Sequence, residues 1–404
     1  MKTKAIEAVR ATLLISLMTS VTVLSTQSHA DTGTCGTETT TLPFTDVMGN
    51  PFFCQIAEAF FSGLTNGTSG TTYSPSDAVT REQMAAFITR TMDQSLKRGS
   101  NRAALDQYWT PNSIDGLALT TVGSFPQLVK SDGADLWVAS AGGGGTVSRV
   151  RASDGKLLET WTGATSAFGV LSAKGLIFVT GTTNPGKLYQ INPTLPAGVV
   201  TTMTSSLGPL PVGLAFDGER IWTANVGLPG SVSIVTLNPL SVISVTAGFS
   251  SPVGILYDGA NIWVTDIGLD INIAGKLFKL DSNGAIIQTL TVGKVPQFPV
   301  FDGTNIWVPN NDSNTVTVVR ASTGTVLATL TGNGLNEART AAFDGERILV
   351  TNGFEGNSVS LWKAADLSPL GSVSTGANTI PLGACSDGLN FWITLVNTGK
   401  LARF

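Results

Sequence analysis

Histidine is nearly absent from this chain. The single histidine, His29, precedes residue 31, where we expect the mature chain to begin. Histidine is the side chain that most often serves as a general base or a metal ligand near neutral pH. Its absence from residues 31–404 excludes Ser-His-Asp and Cys-His nucleophiles and histidine-ligated zinc, so any enzymatic reaction would have to rely on carboxylates.

Charge and cysteine are also scarce. Charged residues make up 13% of the chain, with 24 basic and 28 acidic residues and a net charge of −4. No basic stripe is present, so the sequence does not support nucleic-acid binding. The three cysteines include no Cys-x-x-Cys pair, and no spacing of acidic residues matches an EF-hand. We therefore expect neither a metal nor a cofactor site.

Long hydrophobic runs are absent except at residues 11–24. This run is too short to span a bilayer comfortably, and it follows Lys2, Lys4 and Arg10. Small residues come next, at 28–30, so we predict a signal peptide over residues 1–30. The mature chain is expected to be exported, with no membrane-spanning helix, and the loss of three basic residues and one acidic residue brings its net charge to −6.

Export determines how the cysteines are interpreted. Cys35 and Cys54 flank the start of a small segment at residues 42–95. Because an exported chain is in an oxidising compartment, we predict a disulfide between them. Cys385 falls in an apolar stretch near the end of the chain, where we expect a buried free thiol.

A short phrase recurs seven times in the last three quarters of the chain. Each copy has a turn dipeptide, usually Asp-Gly, then two residues, then two apolar residues of which the second is usually tryptophan. The second apolar residues, here called the anchors, are Trp137, Phe178, Trp222, Trp263, Trp307, Leu349 and Trp392. They are 41 to 44 residues apart, the period of a four-stranded propeller blade.

The repeat predicts a mainly all-β fold, a seven-bladed β-propeller over residues 113–404. Five of the eight tryptophans are anchors, which favours packing between blades over ligand binding as their role. The last unit ends one outer strand short. Residues 114–122 resemble outer strands of other blades, so we predict that they complete the last blade in a 3+1 closure and remove two open sheet edges.

A small helical module is predicted before the propeller, over residues 31–96. Ala57, Phe60, Phe61 and Leu64 follow a helical period, and a second helix is predicted from a capping box at Thr80–Gln83. Residues 97–112 form a linker. Its basic residues and Tyr108-Trp109 are typical either of contact with an acidic polymer or of packing against a blade.

The small module and the repeats each resemble a known family. Phe44-Thr45-Asp46-Val47 and the Thr80-Arg81-Glu82-Gln83-Met84 stretch together resemble one S-layer homology motif. This resemblance implies attachment to envelope polysaccharide, with Asp46 and Arg81 as candidate contacts. The repeats resemble the YVTN family and related lyase-like propellers, carried by segments such as Ile306-Trp307-Val308-Pro309-Asn310-Asn311. The streptogramin-lyase members of that group rely on histidine, which is absent from residues 31–404 of this chain.

Polar residues recur three positions after four of the anchors. They are Asn225, Asp266, Asn310 and Asn352. One interpretation is a partial ring around the channel mouth that binds a ligand, joined by loop residues such as Arg339. The other is that Asn and Asp bond local backbone in a recurring turn. Arg339 is likewise either at the mouth or in a surface pair with Glu337.

Two functions follow from these patterns. The first is a non-catalytic envelope protein whose small module contacts wall polysaccharide and whose propeller presents a binding face to a ligand or a protein. The second is an exported hydrolase or lyase that uses carboxylates, with or without a divalent ion. The missing histidine and the low charge density favour the first.

Overall fold

The computed structural model describes residues 30–35, 38–61, 65–88 and 119–404. The chain divides into two compact units, Met1–Arg98 and Gly99–Phe404. Three of the predictions lie outside the described residues: the signal peptide except for Ala30, the linker 97–112, and Leu64 of the first helix.

The second unit is a seven-bladed β-propeller, as the repeat predicts. Each blade is a four-stranded antiparallel sheet, and the strands are numbered here from the channel outward. Blade 1 contains Pro126–Ser131, Asp135–Ser140, Thr146–Arg151 and Leu157–Thr162. Blade 2 contains Ala167–Ala173, Leu176–Gly181, Gly186–Ile191 and Thr201–Leu207. Blade 3 contains Pro211–Phe216, Ile221–Asn225, Ser231–Leu237 and Leu240–Val245. Blade 4 contains Pro252–Tyr257, Ile262–Asp266, Lys276–Leu280 and Ile286–Thr291.

The last three blades follow the same plan, except that the first strand of blade 5 has only two residues and the outermost strand of blade 7 comes from the other end of the unit. Blade 5 contains Val300–Phe301, Asn305–Asn310, Thr315–Arg320 and Thr325–Leu330. Blade 6 contains Ala338–Phe343, Arg347–Asn352, Ser358–Lys363 and Pro369–Ser374. Blade 7 contains Pro381–Ser386, Phe391–Leu395 and Lys400–Arg403, with a 3-10 turn at Val396–Thr398, and its outermost strand is Leu119–Thr121 from the other end of the unit.

The outermost strand of blade 7 is antiparallel to the C-terminal strand. Leu119 lies opposite Ala402, Thr120 opposite Leu401 and Thr121 opposite Lys400. The second strand of blade 7 is also joined to the first strand of blade 1, because the Thr394 hydroxyl donates to the carbonyl of Gln127 at 2.6 Å. Of the predicted outer strand 114–122, residues 114–118 lie outside the described residues.

Each tryptophan anchor is fixed by the aspartate of its own turn. All five anchors are 0% exposed, and each indole Nε1 donates to the turn aspartate at 2.7 Å. The other oxygen of that aspartate accepts two backbone N–H groups of the turn, as Asp258 does from Ala260 and Asn261. The carboxylate therefore couples the turn to the buried ring, which explains why Asp-Gly and Trp recur together.

The first strands approach one another closely at glycine. A Cβ on Gly169, Gly213, Gly254 or Gly383 would come within 2.2 to 2.6 Å of a carbonyl oxygen in the first strand of the next blade. Real Cβ atoms do not occupy such positions, so only glycine fits here. These glycines therefore allow close backbone packing between neighbouring blades near the channel.

The first unit contains a β-hairpin that the sequence analysis missed. Strands Asp31–Cys35 and Glu38–Leu42 pair directly, and Cys35 and Cys54 form a disulfide with their Cα atoms 5.5 Å apart. The first helix, Phe53–Phe61, packs Phe53, Ile56 and Ala57 into a small core with Leu42, Phe44 and Val47.

The helical prediction for this unit needs one correction. Phe61 was expected on the buried face but is 65% exposed. The buried face begins at Phe53 and follows the i, i+3, i+4, i+7 pattern to Phe60, so Phe61 is turned about 100° away. The predicted capping box is confirmed. The Thr80 backbone N–H donates to the Gln83 side chain at 2.9 Å, and the Gln83 N–H donates to the Thr80 hydroxyl at 3.2 Å, at the start of helix 81–88.

Two further features concern the cysteine and membrane predictions. Cys385 is a buried free thiol, and burial raises its pKa to about 12. Among the residues that the structure describes, no helix is long and apolar enough to cross a membrane.

Candidate functional site

A cavity of about 510 Å³ lies in the propeller where the first strands begin and the second strands end. We call it the central cavity. Its floor is apolar, formed by a buried cluster that includes Val212, Val253 and Phe298. At its rim the rings of Phe125 and Phe354 are more than half exposed. This size and apolar character are typical of a small-molecule site.

A recurring backbone feature shapes the mouth of this cavity. In six blades, the carbonyl of the residue directly before the first strand accepts the N–H of the residue after the second strand, as Phe125 does from Ala141 and Ile380 from Val396. In blade 5 the acceptor is Val295, which lies five residues before the short first strand, and the donor is again the residue after the second strand, Asn311. In six blades the accepting residue has a left-handed backbone with φ between 51° and 56°. The residue types at this position differ from blade to blade, so no sequence signal marks it. Phe125 and Ile380 nevertheless line the cavity.

Among the described residues, Arg339 is the only charged one that lines the central cavity. Its guanidinium lies 4.7 Å from the centroid of the Phe354 ring, and its Nε is buried without a hydrogen-bond partner in the part of the chain that the structure describes. Burial lowers the pKa of Arg339, against the opposing effect of the Glu337 and Asp312 charges. The predicted position of Arg339 at the mouth thus agrees with the structure. The alternative surface pair is not formed, because the Glu337 carboxylate accepts the backbone N–H of Glu355 instead.

Two glutamines enter the same cavity. Gln297 is 6% exposed, and its amide makes no hydrogen bond to the described residues, while its backbone N–H and carbonyl bond Pro309 and Thr265. The Gln127 amide donates to the carbonyl of Phe125 at 2.9 Å. Both line the cavity, so its polar groups are one guanidinium and a few amides, with no carboxylate among them.

The three predicted asparagines lie elsewhere, inside their blades. Asn225, Asn310 and Asn352 are each 0% exposed. Each amide nitrogen donates to two hydroxyls of the neighbouring third strand, Ser231 and Ser233 in the case of Asn225, at 3.1 and 2.9 Å. None of the three lines the central cavity. The three amides are thus engaged inside the sheet, by hydroxyls of the third strand and not mainly by the backbone of a turn, and they form no ring around the cavity.

Asp266 occupies the equivalent position in blade 4. It is 2% exposed, and its carboxylate accepts the backbone N–H groups of Ser250, Ser251 and Gly268 at 2.8 to 3.0 Å. These bonds hold the loop that leads into the first strand. Because they occupy most of the acceptor sites of the carboxylate, Asp266 has little capacity left to bind a substrate or a metal ion. Asp270 accepts two bonds from Asn272. Within the described ranges, no group of three or more His, Cys, Asp or Glu side chains is placed to hold a metal ion.

Blade 1 lacks the asparagine bridge, and this leads to a stability prediction. Ser140 takes the place of the asparagine, and Ser140, Thr146 and Ser148 all have buried hydroxyls without partners. Their spacing is the same as that of Asn225, Ser231 and Ser233. Gly123 lies against Ser140 as Gly208 lies against Asn225, which leaves similar room.

We therefore expect Ser140→Asn to stabilise the propeller by about 1 kcal/mol, because the new amide would bond two unsatisfied hydroxyls. Thermal unfolding would show a rise of about 2 °C in Tm. Ser140→Val is the matched control: it fills similar space without an amide and leaves Thr146 and Ser148 unpartnered. A rise with both variants would mean that filling space, and not hydrogen bonding, is responsible.

The two candidates in the first unit have different surroundings. The Asp46 carboxylate accepts the backbone N–H groups of Tyr73 and Ser74 at 2.9 and 2.7 Å, so it ties two loops together. Arg81 is exposed in the first turn of helix 81–88. Its guanidinium is accessible to an external anionic group, whereas the Asp46 oxygens are largely engaged within the unit.

Comparison with known proteins supports the architecture. No family model and no curated protein matches the chain. Similar solved structures include the hydrazine synthase of Kuenenia stuttgartiensis, with 14% sequence identity and a TM-score of 0.59, covering 70% of this chain and 96% of that one. The WD40 β-propeller domain of Doa1 has 16% identity and a TM-score of 0.56, covering 72% and 96%. At these identities the likeness concerns the fold alone. At the level of fold, the chain is a seven-bladed β-propeller.

Proposed function

We propose that this chain is an exported, envelope-associated binding protein. The propeller holds a ligand in the central cavity, and the first unit contacts wall polysaccharide. The observation that carries the binding role is the cavity itself. Its lining by the described residues combines an apolar floor, the single charge of Arg339 and the amide of Gln297. A few directed polar groups in an apolar cleft are the usual composition of a ligand site.

Binding is better supported than catalysis by the chemistry of the cavity. The alternative, an exported hydrolase or lyase that uses carboxylates, needs acidic side chains next to the substrate. None lines this cavity, and Asp266 is engaged by three backbone N–H groups. Residues 31–404 contain no histidine that would replace a carboxylate as general base.

Wall attachment is supported by the S-layer homology resemblance of the first unit. Arg81 is the contact to test first, because an exposed guanidinium pairs well with anionic groups of a wall polymer. One motif binds weakly by itself, so useful affinity requires several copies of the chain or a partner with further motifs.

Co-sedimentation with purified cell wall tests this attachment. We expect Arg81→Ala to weaken binding about fivefold, corresponding to about 1 kcal/mol for an exposed charge. Arg90→Ala removes the same charge from the same unit and serves as the control. A chain that lacks residues 31–100 should stay in the supernatant. If it sediments as well as the full chain does, the wall contact belongs to the propeller.

A further inference from the structure

We propose that the central cavity binds a small monocarboxylate with an apolar or aromatic body, with its carboxylate on Arg339 and its body against Phe298 and Phe354. This inference rests on the proposed binding role of the propeller, and it specifies the chemical class of the ligand.

The first argument is that Arg339 has no direct ion-pair partner among the described residues. Among the described residues no carboxylate forms an ion pair with it, and its Nε is buried without a partner. An unpaired charge in an apolar site is costly, and an anion that pairs with it removes much of that cost. The planar guanidinium matches a carboxylate with two parallel hydrogen bonds. Arg339 is therefore arranged to receive an anionic oxygen pair from a ligand.

The position of Arg339 is determined by its neighbours. Its carbonyl accepts the backbone N–H of Phe298 at 3.1 Å, which fixes the strand at the cavity wall. Its guanidinium lies over the Phe354 ring. The charged group thus lies against the Phe354 ring, and Phe298 lines the same cavity, so the carboxylate of a ligand would reach Arg339 with the rest of the ligand against aromatic surface.

The second argument is the free amide of Gln297. Gln297 is only 6% exposed, and its side chain makes no hydrogen bond to the described residues. Both polar groups of its backbone are bonded, so only the side chain is left for the cavity. Because Gln297 lines the cavity, this amide is available to a polar atom of a ligand.

The third argument limits the ligand to one negative charge. Arg339 is the only cation that lines the cavity, and the charges of Glu337 and Asp312 act on it from nearby. A phosphate monoester carries nearly two charges and is usually held by several donors or cations. The remaining surface is mostly apolar, with Phe168 and Phe298 ring centroids 6.0 Å apart. A monocarboxylate with an apolar body fits these properties better than a phosphate or a sugar.

Calorimetry on the full-length chain with three probes tests the proposal. The probes are 2-naphthoate, the neutral 2-naphthamide and the dianionic 2-naphthyl phosphate. We expect 2-naphthoate to bind at least tenfold more tightly than either of the others. Arg339→Met should remove this preference, Gln297→Leu should weaken naphthoate binding several-fold, and the control Arg151→Met, which alters an exposed arginine in blade 1, should bind as the wild type does.

Three results would overturn the proposal. They are equal binding of naphthoate and naphthamide, unchanged naphthoate binding by Arg339→Met, and no binding of any probe at millimolar concentration. Tighter binding of the phosphate would assign the cavity to dianions instead. If Arg339→Met does not fold, Gln297→Leu and the probe series still decide the matter. The proposed function is tested separately. Turnover of naphthoate would contradict a non-catalytic role. Failure of the chain to co-sediment with cell wall would contradict wall attachment and would leave the probe result unchanged.

Discussion

Removing residues 1–123 is expected to lower the Tm of the propeller by roughly 7 °C, whereas removing only residues 1–100 should leave it unchanged. The first deletion removes the strand Leu119–Thr121 and Val122, whose backbone N–H donates to the carbonyl of Gly399 at 3.0 Å. It also removes the contact of Val122 with the core cluster between blades 7 and 1 and exposes the edge of Lys400–Arg403. Several hydrogen bonds and one half-buried valine amount to about 3 to 4 kcal/mol.

The two deletions control for each other, since both lack the first unit and differ by 23 residues that include the strand. Thermal unfolding followed by circular dichroism at two protein concentrations is the measurement. The longer deletion also leaves an unpaired strand edge, so we expect it to self-associate more. Equal Tm values for the two shortened chains would mean that this strand contributes nothing to the stability of the ring.

The propeller was predictable because its period is written in the sequence. A buried tryptophan bonded to a turn aspartate requires both residues at a fixed spacing, so five of the seven blades repeat the same five-residue separation between Asp and Trp. The two blades whose anchors are not tryptophan, those with Phe178 and Leu349, agree with this explanation because neither has the bond between aspartate and indole. Lys174 replaces the aspartate in one, and Asp344 bonds Arg347 in place of an indole in the other.

The central cavity was predictable only in part. Arg339 was expected near the mouth because its loop leads into a first strand, and it lines the cavity together with Gln127 and Gln297. Asn225, Asn310 and Asn352 were candidates at the mouth, but they bond hydroxyls inside their blades. A residue at the end of a strand faces either the channel or the sheet, and a single sequence contains no periodicity that distinguishes the two. Phe354 was missed because it lies in a loop outside the repeat.

The link between turn aspartate and tryptophan should be visible in the pH dependence of stability. Burial raises the pKa of Asp217, but hydrogen bonds from the Arg220 backbone, the Trp222 indole, the Glu219 backbone and the Arg220 side chain outweigh it, so its pKa is lowered overall. A carboxylate whose pKa is lower in the folded chain stabilises the fold above its unfolded pKa of about 3.9. That stability is lost as the pH falls through the folded pKa.

We therefore expect Asp217→Asn to destabilise the propeller by about 2 kcal/mol at pH 7, because the amide nitrogen or a neutral oxygen replaces a charged acceptor of the indole and guanidinium. Glu219→Gln removes the same charge from the same turn, where the side chain is exposed, and should cost less than about 0.5 kcal/mol. On a Trp222→Phe background, Asp217→Asn should cost less than in the wild type, since one donor is already gone.

Urea unfolding of these variants between pH 2.5 and pH 7 is the measurement. The stability difference between wild type and Asp217→Asn should be constant from pH 7 to about pH 5 and shrink below about pH 4, as the wild-type carboxylate becomes protonated. The curves of wild type and Glu219→Gln should run in parallel. If the Asp217→Asn difference is the same at pH 3 and pH 7, the carboxylate charge does not contribute. The recurrence of Asp-Gly with Trp would then reflect only the backbone geometry of the turn.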